Sequence, residues 1–378
     1  MEQTLKNTRI AWIDICRAIA ITLVIIGHSL GSYWPGNFGN FIFAVHLPIF
    51  FVLSGYLYKA KSFLYRVRTG IKTLIIPYIA TVMIEIAIAC FVKVFPNNKF
   101  LFSRIGSIKG ILLAAVYGSG GESITPFKTF IPWIGAIWFL LAFFWGSLIF
   151  NQIMKLSFKK YDLLSKFAIF SVLTLVGYYL SKIVTLPMSF NSALGSMLFF
   201  FAGYLIRRYK KLFDQLPLYA YLIFLASWTY VATLGLFSIE NMAAPNIFLN
   251  LISSVADCLC LIKLSMIIDS WLVKKDKYKF RQEILLIGSG SLAILCFHLI
   301  DLDNISVWTI LLKKLNDTVP YWFAIMIGNI YRIIFAYLVV KIIPFVPLLK
   351  SCFFHANQLK NKKTGRSLSY EIKRRIYI

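Results

Sequence analysis

The sequence predicts an all-α integral membrane protein, a bundle of about ten transmembrane helices with both termini cytoplasmic. Three observations carry this reading. Of 378 residues, 59% are hydrophobic and 15% charged, with a mean hydropathy of +0.74. Soluble domains hold roughly 45–50% apolar and about 25% charged residues. The apolar stretches are long and apolar all round, whereas the strands of a membrane barrel would alternate. Finally, 40 Lys and Arg oppose 15 Asp and Glu, a net charge of +25, and the basic residues recur loop by loop. A disordered chain, a disulfide-stapled secreted domain and an ordinary cytosolic enzyme are excluded by this composition.

A crossing helix takes about 20 apolar residues. Spans are expected near 13–33, 41–58, 73–95, 133–153, 167–185, 192–206, 217–237, 247–269, 284–300 and 320–347. The sixth and ninth are short and the tenth is long. Ile111–Tyr117 is apolar but too short to cross, and suits a re-entrant or interfacial piece. With the N-terminus inside, 28 basic residues fall on inner segments, 8 on outer ones and four (Arg17, Lys263, Arg332, Lys341) within spans. That alternation is the positive-inside pattern. A nucleic-acid surface would need its basic residues on one soluble face, and no soluble domain is large enough to carry one. Residues 1–356 form one membrane domain, and 357–378 a basic cytoplasmic tail placed to lie near anionic lipid. Asp14 and Arg17 interrupt the place where the apolar core of a signal peptide would start, so the first helix is expected to stay. The six cysteines are scattered, without a Cys-x-x-Cys pair, and neither a metal site nor a disulfide framework is expected.

Ionisable groups inside spans are the first places to look for chemistry. In the first span, Arg17 and His28 are eleven residues apart, within roughly 20° on a helical wheel, and Asp14 lies about 60° from Arg17. The three share a stripe, with His28 about 16 Å deeper along the axis. Asp14 and Arg17 can pair across three residues. They can equally be an interfacial ion pair with Arg17 snorkelling. In the second span, Pro48 frees the carbonyl of Ala44 and kinks the helix, while Ser54-Gly55 permits close approach of another helix. His46 returns to the depth of His28, because both lie a few residues from one short connection. Two imidazoles at one depth make a proton-handling pocket. The inner loop Lys59–Lys72 carries Arg66, Arg68 and Lys72 before Pro77-Tyr78. It reads either as a topology signal or as a clamp for a polyanion's phosphates. Glu85, Asp257, Lys263, His298, Asp301 and Arg332 could each line a cavity, and Trp133, Trp138 and Trp145 fit an interfacial belt or packing.

The run Trp12-x-Asp14-x-x-Arg17…Gly27-His28-Ser29, followed by Phe43-x-x-His46-x-Pro48-x-Phe50-Phe51-x-x-Ser54-Gly55-Tyr56, resembles the acyltransferase family 3 of integral-membrane O-acyltransferases. Its stand-alone, fucose O-acetylase-like branch is the nearest in flavour. Arg66-x-Arg68…Lys72…Pro77-Tyr78, Trp138-Phe139-Leu140 and Gly288…Ser291-Leu292…His298 are similar to further runs of that family, though the basic loop departs from the family's commoner Arg-x-x-Arg spacing. The resemblance implies transfer of an acyl group, most often acetyl, from cytoplasmic acyl-CoA to a hydroxyl of a lipid-linked or surface glycan at a bacterial plasma membrane. His28 would act as general base or carry the acyl group covalently. Arg17 would meet an anionic part of the donor, Asp14 would orient Arg17, and His46 would share the pocket. Arg66, Arg68 and Lys72 would hold the CoA phosphates. Membrane lipids and the glycan acceptor are the expected partners, with a second copy of the chain or glycan-assembly proteins beside them, and no nucleic acid. A transporter using Arg17 and His28 as a proton or anion site is the alternative. Paired broken helices in two related halves would mark it, and the 12–56 pattern has no counterpart in the second half.

Overall fold

The computed structural model describes residues 10–30, 37–125, 130–316 and 318–354; the basic tail lies outside them. Every regular element among the described residues is helical, and backbone pairing between extended segments is limited to two isolated bridges.

The chain enters through α1 (Ala11–Leu30). The second apolar stretch is two pieces, α2 (Asn37–Phe43) and α3 (Pro48–Tyr56), separated by a turn at Ala44–Leu47. Pro48 opens α3 as its first residue, where its missing N–H costs nothing. The kink expected there is a loosened turn: backbone bonds from Ala44 to Asn40, His46 to Ile42 and Ile49 to Val45 persist, and 37–56 still counts as one span. The carbonyl of Ala44 instead accepts from Ser254 Oγ at 2.5 Å.

Residues 59–72 were expected to be a loop, and here the structure corrects the reading. Ser62 caps α4 (Phe63–Gly70) by accepting from the Tyr65 amide, and the helix continues through a π-turn, Ile71–Ile75, into α5 (Ile76–Val94). Pro77 withholds one hydrogen-bond donor in the helix, and the wider π-turn just before it absorbs the mismatch. Arg66, Arg68 and Lys72 are therefore helical residues.

Next come α6 (Ile108–Tyr117), α7 (Trp138–Met154) and α8 (Asp162–Ser181). Span four was expected from residue 133, but Gly135 has φ +75° and the helix begins at Trp138. Span six is the bent pair α9 (Phe190–Gly195) and α10 (Met197–Arg208), which meet at 45°. A short α11 (Lys210–Asp214) leads to α12 (Leu218–Leu234) and the long α13 (Ile247–Lys274), capped by Asn246. Span nine is likewise two helices, α14 (Tyr278–Ser289) and α15 (Ser291–Asn304), at 68°. The last described helices are α16 (Val307–Asn316), α17 (Tyr321–Ile342) and α18 (Pro347–Phe353).

Among the described residues, six helical stretches are long and apolar enough to cross a membrane, and eight if each bent pair is one span. α7 and α12, at 17 residues each, measure about 26 Å at 1.5 Å per residue, just under a hydrocarbon core of about 30 Å.

A phenylalanine stack fills the centre. Phe51 of α3 stacks on Phe143 of α7 at 5.3 Å, and Phe200 of α10 stacks on Phe150 at 5.3 Å. Phe170 of α8 joins Phe150 and Phe201 at 5.1 Å. Offset and edge contacts of this kind add to the burial itself. α3 and α10 cross backbone to backbone: a Cβ on Gly203 would lie 1.9 Å from the Val52 carbonyl oxygen, and one on Gly55 1.8 Å from that of Phe200. Close packing of small residues is how helices associate where lipid supplies no hydrophobic drive.

Candidate functional site

Three histidines from three separate helical regions meet inside the bundle. The ring of His28, near the end of α1, lies 6.2 Å from that of His46, in the α2–α3 break, and 5.9 Å from that of His298 on α15. Phe43 closes one side, 5.7 Å from His28 and 4.6 Å from His46. His46 and His298 are buried, and His28 is half-buried.

The break in the second span fixes the protonation pattern of His46. Its Nδ1 lies 3.1 Å from the Ile42 carbonyl oxygen and 3.3 Å from that of Phe43. A carbonyl can only accept, so Nδ1 carries the hydrogen and Nε2 keeps a lone pair. That Nε2 is buried without a hydrogen-bond partner among the described residues, as is His298 Nε2. Buried polar atoms are normally satisfied. Two unsatisfied imidazole nitrogens on either side of a third, more accessible ring leave hydrogen-bonding capacity unused in the interior.

Beside the rings sits a closed ionic network. Arg332 of α17 donates through Nε to Asp301 of α15 at 2.9 Å and through Nη1 to Ser29 Oγ at 2.9 Å. Tyr331 OH donates to the other Asp301 oxygen at 2.6 Å, and the guanidinium stands 4.2 Å over the Trp308 ring. Arg332, Asp301 and Ser29 are all buried. The network ties α1, α15, α16 and α17 together one residue from His28.

The other sequence-predicted residues lie elsewhere. Asp14 and Arg17 do pair, at 3.4 Å, with Asp14 buried and Arg17 about one-third exposed. They sit at the opposite end of α1 from His28, separated by about 16 Å of helix. Gly288, from the late Gly-x-x-Ser-Leu run, has a plain packing role at that end. A Cβ there would lie 1.8 Å from the Asp14 carbonyl oxygen, so only glycine lets α14 lie on α1. In the basic segment, Arg66 is engaged: its Nη2 donates to the Lys59 carbonyl at 2.9 Å and it covers the Tyr58 ring. Buried Asn151 pins the same turn through Lys61. Arg68 and Lys72 are exposed. Arg66 and Arg68, two positions apart, point about 160° away from each other. The three basic side chains thus make an exposed pair plus one braced arginine.

Glu85 reaches α15 near Asn304 rather than the histidines. Asp257 accepts from Ser253 Oγ at 3.3 Å. On the loop before α13, the Glu240 carboxylate takes the backbone N–H groups of Gly120 and Gly121, and burial pushes its pKa up to about 7. No three His, Cys, Asp or Glu side chains among the described residues are grouped to hold a metal ion.

Sequence reasoning had linked His28 with His46. It had treated His298, Asp301 and Arg332 as separate cavity-lining residues, and only the packing of α15 and α17 on α1 unites them. The available signal was their shared oddity, ionisable or imidazole side chains inside apolar helices.

Several long apolar helices, with three imidazoles gathered among them, are the architecture of a multi-pass membrane protein. The chain belongs to the acyltransferase domain family Acyl_transf_3, whose family model matches residues 10–341. It is a membrane acyltransferase, as the Arg17–His28 and His46–Tyr56 runs implied. No curated protein and no solved structure matches the chain.

Proposed function

We propose that the protein transfers an acyl group, acetyl in the simplest case, from cytoplasmic acyl-CoA to a hydroxyl of a surface or lipid-linked glycan at a bacterial plasma membrane. The observation that carries the chemistry is His28, half-buried and flanked by two imidazoles with unsatisfied Nε2 atoms. Thioester alcoholysis needs a base for the acceptor hydroxyl, and neutral imidazole is suited to it. In this reading His28 takes the hydroxyl proton as the oxygen attacks the thioester carbonyl. The carbon–sulfur bond then breaks, and the imidazolium returns the proton to the departing thiolate, leaving an ester and free CoA. His46 Nε2, held as an acceptor by its Nδ1 hydrogen bonds, orients a donor group of the substrate, and His298 closes the far side.

The orientation of this proposal is ten crossings with both ends cytoplasmic, α7 and α12 being the two shorter ones and the bent pairs counting as single spans. The charge alternation between loops supports it. Arg68 and Lys72, exposed on α4 and the π-turn, would meet the CoA phosphates, with Arg66 bracing their helix. The Asp14–Arg17 pair, toward the same end of α1, would meet the donor on its way to His28. A fucose O-acetylase-like role fits this arrangement, with membrane lipids around the bundle and glycan-assembly proteins or a second copy as partners.

The test compares the O-acetyl content of the host glycan made with wild type and with His28→Ala at matched membrane levels. General-base catalysis is worth about 10²–10⁴-fold, so the variant should lose at least 100-fold. Unchanged acetylation would remove His28 from the chemistry.

A further inference from the structure

A second polar site lies away from the histidines, where α3 and α10 end and α12 begins. A cleft of about 180 Å³ opens there, its polar wall made by Tyr56, Lys210, Asp214, Tyr221 and Lys263, with Met266 among its apolar lining. Lys263 is the unusual member. It sits well inside α13, an apolar helix of 28 residues, and its ammonium rests 5.6 Å from the Tyr221 ring centroid. It makes no ion pair with the described residues, whereas Lys210 is paired with Asp214. The charges of Lys210 and Asp214 cancel, which leaves Lys263 as the net positive charge of the cleft. A lone cation at this depth calls for an anionic partner.

The depth is informative. Counting about 20 residues of 1.5 Å from Ile247 places the far edge of the hydrocarbon near residue 267. Lys263 is then one turn inside that edge, with its stem able to carry the charge out to the headgroups. The surfaces around the cleft are apolar and exposed: Leu222 59%, Ile223 61%, Leu264 44% and Ile267 55%. They are placed to meet acyl chains. The volume falls short of the roughly 300 Å³ at which sites for nucleotide-sized ligands begin. A phosphate headgroup fits, and the adenosine diphosphate portion of a coenzyme does not.

We infer that this cleft binds the phosphodiester headgroup of one anionic phospholipid, with Lys263 facing the phosphate and the acyl chains lying on α12 and α13. The site is separate from acyl transfer and does not depend on which face is cytoplasmic.

Native mass spectrometry of the full chain in neutral maltoside detergent tests it, with dioleoyl phosphatidylglycerol titrated against dioleoyl phosphatidylcholine. Wild type should retain one phosphatidylglycerol in preference to phosphatidylcholine. Lys263→Met should weaken retention about tenfold, and Lys263→Arg should preserve it. Met266→Trp, which fills the cleft and leaves the charge, should also abolish it, so the result does not hinge on one variant's folding. Equal retention by Lys263→Met and Met266→Trp would overturn the assignment. So would displacement of the lipid by inorganic phosphate alone at millimolar concentration, or by acetyl-CoA at micromolar concentration, which would give the cleft to a soluble anion or to the donor.

Discussion

Replacing Arg332 with methionine keeps the length of the stem and removes the guanidinium. Three interactions go with it. One is the charge-assisted bond to Asp301 at 2.9 Å, worth about 1.5–3 kcal/mol. Another is the bond to Ser29 Oγ, about 1 kcal/mol. The last is the contact over the Trp308 ring at 4.2 Å, about 1–2 kcal/mol where desolvated. Asp301 is left wholly buried with only the Tyr331 hydroxyl as donor. The expected loss is about 3–5 kcal/mol, the usual cost of breaking one side of a buried pair. Asp301→Asn in the same background removes the stranded charge and should restore about half. Unfolding of the purified protein in mixed detergent micelles, followed through its nine tryptophans, gives the four corners of a double-mutant cycle. A coupling energy under about 0.5 kcal/mol would refute the account, because it would mean that the two side chains do not stabilise the bundle through each other.

Glu240 has a pKa raised to about 7 by burial. A carboxyl raised on folding contributes stability that is fully present below about pH 4.5 and is lost as pH rises through 7, a change of roughly 3 kcal/mol. Glu240→Gln should flatten the decline in melting temperature between pH 5 and 8, and an unchanged slope would argue against it. Gly203→Ala should cost about 1–3 kcal/mol by overpacking, because its Cβ would meet the Val52 carbonyl at 1.9 Å; a melting temperature equal to wild type would contradict the close crossing. Arg68→Ala with Lys72→Ala should weaken acetyl-CoA binding about tenfold by calorimetry, while Arg66→Ala should mainly lower stability; equal affinity in the double variant would return that segment to a purely topological role.

The apolar runs made most of the fold legible, since length and all-round hydrophobicity are local properties. The breaks were not. Pro48 announced a kink, but not that Ser254 would arrive from α13 to satisfy the Ala44 carbonyl. Gly290 separates α14 from α15 at 68°; the Gly288-Ser289-Gly290-Ser291 run marks a weak point in the helix but carries no angle. The basic segment misled for a related reason: its charge suggested a loop, while Ser62 and the π-turn made it helix. The pairing of His28 with His46 was readable because one short connection sets both depths. His298 arrives from 270 residues further on, and only the packing of α15 against α1 brings it there.

The interruption at Ala44–Leu47 makes the position of a proton depend on a helix that carries no ionisable group. His46 is held in one tautomer only while the last carbonyls of α2 stand beside its Nδ1. α2 in turn is held by α12, through Asn40 on the Ala232 carbonyl and Phe41 stacked 3.8 Å from Trp228, whose Nε1 donates to the Phe41 carbonyl. A shift of α12 of about 1 Å would stretch the Nδ1 bond past useful length and free the ring to exchange tautomers. Trp228, with no chemistry of its own, is in this sense the far end of a lever whose near end is a lone pair.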